Sequence, residues 1–412
     1  MTVDIIIRNA RLRDRPAPVD IGIEGGRVVA LGDDIGSANA REIDAGGMLV
    51  TESFANPHLH LCKVYTLDRM DELALADYHG GQMGKAMNAI ELAARVKADY
   101  DEEWIVPNAR KAVALAALHG NTHIRAFADV DTKAGLVGVK SLLRVRDEFA
   151  GTVALQVVAF AQDGLVREPG ASALMREAME LGADVVGGIP WIEFTEADEQ
   201  AHVDEIFDLA VEFDKPVSML VDDAGDPGLR TLEMMATRTI ERGWHGRSLA
   251  HHARAMALYP KPYLQKVAAL LKAAEMGVVT DPHTGPLHLR VRELLEEGAL
   301  VCLGQDDISD AYYPLGRNSM LEVAFLAVHL LWMTTAAEME KVYSMVTTDA
   351  AAAMGLEGFR LEVGGAAHLV VLAQPDIREA LRNHAPPRHV ISHGRLIDAR
   401  AMQAIVDADG LD

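Results

Sequence analysis

At 412 residues, half of them hydrophobic, the chain can bury a large core and reads as one large globular domain with a smaller companion. Its 39 basic against 61 acidic residues leave a net charge of −22, which argues against nucleic acid or an anionic membrane as partner, since both call for a basic surface. Two cysteines, Cys62 and Cys302, make no disulfide framework and fit a reducing cytoplasm, and neither a signal peptide nor an apolar run of about 18 residues is legible.

The opening residues read as short strands, at 3–7 and then at 20–31, where Gly25-Gly26 marks a hairpin. Residues 41–50 lead into an apolar strand that ends in Asn56-Pro57-His58-Leu59-His60. Side chains two apart on a strand share a face, so His58 and His60 can grip one metal ion or simply end a strand. Further strand-like runs follow at 122–127, 153–160, 185–189, 217–221, 248–251, 277–280 and 300–304. Amphipathic helical stretches at 103–119, 171–181, 203–213 and 229–243 lie between them. Eight strands alternating with helices predict a parallel (β/α)8 barrel of the TIM type over 53–360. An open doubly wound sheet is the alternative, weakened because no Gly-x-Gly-x-x-Gly follows an early strand. Strand-like segments return at 367–372 and 389–398, so 1–52 and 361–412 are expected to build one small β-domain from both termini.

In such a barrel chemistry sits at the C-terminal strand ends. Those ends carry, in order, His58 and His60, Asp129 and Asp131, Gln162 and Asp163, Trp191 and Glu193, Asp222 and Asp223, His251 and His252, Asp281 and His283, and Asp306 and Asp307. Polar ends on apolar strand bodies predict a polar-floored pocket.

Several segments carry a family resemblance: Pro57-His-Leu-His, Thr122-His-Ile-Arg, Val157-Val-Ala-Phe-Ala-Gln-Asp-Gly, Ala250-His-His-Ala-Arg-Ala-Met, and Gly304-Gln-Asp-Asp-Ile with Tyr313-Pro-Leu-Gly-Arg-Asn-Ser. The chain resembles the amidohydrolase superfamily, in the branch of cytosine deaminase and N-isopropylammelide isopropylaminohydrolase, over nearly its whole length. The resemblance implies a β-sandwich for the terminal domain and hydrolysis of a C–N bond in a small, cyclic nitrogenous compound. It implies one divalent ion, zinc or iron, on His58, His60 and Asp306, with Asp306 also the base, His252 stabilising the reacting water or intermediate, and Asp223 as acid. Gln162, Asp307 and Tyr312 match pocket positions, and Tyr312 can stack on a flat ring.

Some positions depart from the family pattern. Leu220 stands where the family has a strand-five metal histidine, Phe127 and Trp191 where it often has histidine, Cys62 where it has aspartate, and Asp223 where it has glutamate. Either the substrate is more apolar than a pyrimidine or the metal has been lost. His251, His283 and Cys62 are candidates to replace the missing ligand, and His283 also falls in the expected pocket. His119, His245, His368, His384, His389 and His393 read as loop or surface residues. A metal-free hydrolase or lyase and a non-catalytic small-molecule binder stay open beside the metal-dependent hydrolase. A homo-oligomer fits the resemblance, though no interface is legible.

Overall fold

A computed structural model describes residues 3–15, 17–36, 38–69 and 96–408. A loop at 70–86, which the sequence suggests faces the pocket, lies outside them.

Strands β1 (Ile5–Ala10), β2 (Val19–Glu24), β3 (Arg27–Gly32) and β4 (Arg41–Asp44) form one sheet in the order β3-β2-β1-β4. The β2–β3 turn places Gly25 and Gly26 at φ 55° and 82°, two successive left-handed residues of the kind a tight hairpin needs. β5 (Val50–Glu52) leaves this sheet and precedes the barrel strand β6 (Phe54–Leu59). The barrel continues with β7 (Asn121–Asp129), β8 (Ala154–Phe160), β9 (Val185–Gly188), β10 (Val217–Val221), β11 (Ser248–His252), β12 (Gly277–Thr280) and β13 (Val301–Leu303). Neighbours pair in parallel in strict chain order. Nearly every strand residue is buried, the two-faced burial that made these segments read as unbroken apolar runs.

The ring closes at one seam. Leu59 bridges Asp306 in parallel; the His60 N–H donates to the Asp306 carbonyl and the Asp306 N–H to the His58 carbonyl, each at 2.9 Å. Gly304 makes the approach feasible, because a Cβ there would sit 2.7 Å from His58 Cβ.

Beyond the barrel, β14 (Leu369–Val371), β15 (His389–Ser392) and β16 (Arg395–Leu396) join β5 in the sheet order β16-β15-β14-β5. Ile7, Ile21, Ile23 and Val28 of the first sheet pack against Leu369, Val371 and Ile391 of the second. This is the expected sandwich from both termini. The helices at Ile377–Asn383 and Ala399–Asp407 lean instead on the barrel's cluster through Leu381 and Met402.

The helix expected at 203–213 begins at Glu196. Thr195 caps it, its Oγ1 accepting the Asp198 N–H, and Glu196, Asp198 and Glu199 load the first turn with charge that suits a helix N-terminus. Thr195→Ala is expected to cost about 1 kcal/mol, read as a lower urea midpoint at unchanged slope.

Candidate active site

The seam that closes the barrel also assembles the site. Because Asp306 bridges Leu59, its carboxylate lies between the side chains on either side of that residue. Nε2 of His58 is 2.9 Å, and Nε2 of His60 3.8 Å, from Asp306 Oδ1. His252 brings a third Nε2 to 3.9 Å from the same oxygen. Strand alternation alone would point His252 away from His251, its neighbour in β11. His252 is at φ 67° and Ala253 at φ 44°, and this left-handed bend turns the imidazole to the chamber. Asp306, at φ 69°, is bent likewise. Such conformations cost about 1–3 kcal/mol each and gather at functional sites.

All four groups are nearly inaccessible to solvent. Burial, with the positive charges around them, holds His58 and His60 well below the usual imidazole range, in the neutral form that binds metals. Burial opposes charge on His252 as well, but Asp223, Asp281 and Asp306 outweigh it and raise that imidazole to about 9. Burial and the neighbouring Asp281 charge push Asp306 up to about 6. Asp281 accepts from His252 Nδ1 at 2.8 Å, which aims Nε2 at Asp306. Arg254 binds Asp223 at 2.6 Å and Asp281 at 2.8 Å, and comes within 3.6 Å of Asp306 Oδ2. Asp223, expected as the acid, is therefore ion-paired; its carboxyl is still raised by burial, against the pull of Arg254.

Gln162, Trp191, Leu220, Asp307 and Tyr312 line the chamber with these groups, as does Lys63, buried beneath Tyr312. Lys63 Nζ donates to Gln162 Oε1 at 2.8 Å, which leaves the Gln162 NH2 as the group offered to a ligand. The Trp191 indole N–H has no partner among the described residues. Burial and the adjacent Asp306 raise Asp307 well above the carboxylate range, which favours its protonated form.

Not every expected residue is on the chamber wall. Phe127 packs behind His58 and His60, at 4.6 and 5.3 Å between ring centres. His283 bonds to the Gln305 carbonyl at 3.2 Å. His251 lies in the barrel interior, 4.6 Å from the His58 ring, and shares no metal-sized cluster among the described residues. The Cys62 thiol is buried beside Tyr100 and pushed up to about 12 by burial, the behaviour of a packed side chain. Asp222, next to Asp223, is structural: it accepts from Thr231 and Tyr259. Sequence reasoning gave no role to Lys63, Arg254 or Asp281. Asp281 stood among the strand-end residues, but its ion pair with Arg254 depends on a backbone bend that no periodicity reveals.

A model of the amidohydrolase family matches residues 41–398. The N-isopropylammelide isopropyl amidohydrolase of Pseudomonas sp. (strain ADP) is 30% identical over 397 residues, 96% of this chain and 97% of that protein. The chain belongs to the amidohydrolase family. The crystal structure of 5-methylcytosine deaminase from Klebsiella pneumoniae, liganded with phosphonocytosine, superposes with a TM-score of 0.86 at 30% identity, covering 95% of this chain and 98% of that one. A pterin deaminase of Rhizobium rhizogenes is 25% identical over 88% of this chain and 83% of its own length. As an amidohydrolase, the protein is a hydrolase of C–N bonds.

The donors fit a divalent ion: Nε2 of His58 and Nε2 of His60, both held in the neutral form that ligates, stand 2.9 and 3.8 Å from the Asp306 carboxylate, with Asp307 beside His60 and Asp306. Nitrogen and oxygen donors of this kind suit zinc or iron. Leu220 adds nothing to the set. Asp281→Asn, which weakens the support of His252, is expected to lower kcat about 10–100-fold while leaving Co²⁺ binding unchanged in a spectroscopic titration.

Proposed function

We propose that this amidohydrolase removes an amino or alkylamino group from a flat, uncharged nitrogen heterocycle, with residues 53–360 as its catalytic unit. The observation that carries the reading is that His60, His252 and Asp306 floor a chamber walled by Trp191, Ile189 and Leu220, with His58 bound to Asp306. When bound to that set, a divalent ion supplies Lewis acidity and lowers the pKa of water to about 7.

The chain's own groups do the rest. Asp306 accepts the proton of the attacking water at its carboxylate. His252, charged and fixed by Asp281, donates a hydrogen bond toward the oxygen on which negative charge develops. Asp307, on the wall and raised above the carboxylate range by burial, gives its proton to the leaving amine, a role that the ion-paired Asp223 fills less readily. The Gln162 NH2 and Trp191 N–H face acceptor atoms of the ring, and Tyr312 offers a stacking face. Leu220, Trp191 and Ile189 favour an aromatic or alkyl-bearing substrate over a polar pyrimidine. The free, buried thiols of Cys62 and Cys302 support a cytoplasmic setting. Among the described residues no helix is long and apolar enough to cross a membrane.

The test is release of ammonia or alkylamine from a panel of pyrimidines, triazines and cyclic ureas, with and without a chelator. Turnover of one class, lost with chelator and restored by zinc, is the expected result; binding of a panel member without release would point to a non-catalytic relative. On a compound that is turned over, Gln162→Leu is expected to raise KM by about tenfold, the worth of one hydrogen bond.

A further inference from the structure

We propose that His123, His368 and His393 form a second metal site, for a late first-row divalent ion such as zinc, at the junction of the barrel and the C-terminal sheet. His123 is near the start of β7, at the end of the barrel opposite the chamber. His368 precedes β14 and His393 sits in the β15–β16 turn. One ring nitrogen from each falls within 4.8 Å of the others, and the ring centres are 4.6, 4.6 and 5.8 Å apart. His368, which the sequence placed at the surface, is buried, and only His393 is open to solvent.

The chemistry is that of a ligand set. Burial first, then mutual repulsion for His123 and His368, holds the imidazoles below their usual range, so lone pairs are available. His123 Nδ1 is 2.8 Å from the Thr122 hydroxyl and His393 Nδ1 2.9 Å from the Ser392 hydroxyl, partners that can orient a ligating ring. The Phe359 ring stacks on His368 at 5.6 Å and closes one side. Three imidazoles leave one coordination position open, and imidazole selects zinc, copper or nickel over magnesium or calcium. Two adjustments accompany binding. Nitrogens around one zinc stand about 3.4 Å apart, so the rings must close by about an ångström; the exposed turn carrying His393 supplies that movement, and its ring then gives up the bond to the Gly151 backbone. The His393 N–H now donates to His368 Nδ1 at 3.2 Å, and that bond is given up on loading. An ion here would tie the C-terminal strands to the barrel wall and act on stability rather than on turnover.

The test uses the full chain, stripped with chelator, reloaded with zinc and desalted. His60→Gln together with Asp306→Asn is the background, which removes two of the chamber's donors. Zinc is expected to bind at one equivalent per chain and raise Tm by a few degrees, and His393→Gln in the same background is expected to lose both. Co²⁺ should give the visible absorption of a tetrahedral nitrogen site in the first protein and not in the second. Equal zinc content and equal Tm shift in the two proteins would overturn the proposal. His368→Gln is a second probe, but His393→Gln alone decides should that buried variant fail to fold. Neither readout needs a substrate, so the result stands apart from the proposed activity.

Discussion

Asp306→Asn is expected to lower kcat by about 10³-fold on whichever heterocycle the wild-type protein hydrolyses, with KM changed far less. General-base catalysis contributes about 10²–10⁴-fold, and Asp306 Oδ1 lies within 4 Å of Nε2 of His58, His60 and His252. Asparagine is the informative replacement. It keeps the volume, and it tolerates the left-handed backbone that Asp306 adopts at φ 69°, where alanine would add strain. The barrel seam runs through main-chain bonds at residue 306, so it survives the change. An unchanged far-ultraviolet circular dichroism spectrum and a Tm within a few degrees of wild type would show that. Activity within tenfold of wild type would remove Asp306 as the base.

The strand order was legible because each barrel strand is buried on both faces and reads as an apolar run ending in polar residues, as in 217–221 before Asp222 and Asp223. The His-x-His pair could be placed because Leu59 must face away when His58 and His60 face in. The partners of those residues were not legible. Asp281 meets His252, and Arg254 meets Asp223, only because His252 and Ala253 take left-handed backbone that a two-residue period does not foresee. The start of the helix at Glu196 was missed because its capping threonine lies outside the apolar stripe. His368 was assigned to the surface because it opens a short strand after a Gly-Gly turn; it packs against Phe359 and against His123, which is distant in the chain.

Leu220→His is expected to tighten zinc binding at the chamber by at least about tenfold, since changes that merely orient an existing ligand already alter affinity about 10–100-fold. Leu220 lies on β10 in register with His251 and lines the chamber beside Trp191, so an imidazole there brings a further nitrogen to the chamber wall. Arg254 acts against the ion from another direction. Its guanidinium is 3.6 Å from Asp306 Oδ2 and holds Asp223 and Asp281, so it competes for the carboxylate charge that a divalent ion needs. Arg254→Met should therefore tighten zinc binding as well, while Arg254→Lys, which keeps the charge, should not. The methionine variant should also be less stable, because Asp223 and Asp281 lose a buried partner, and zinc should restore part of that loss by binding only the folded chain. Competition titration against a chromophoric chelator measures the affinities without a substrate. Should Leu220→His leave the affinity unchanged, the chamber is not short of a ligand at strand five.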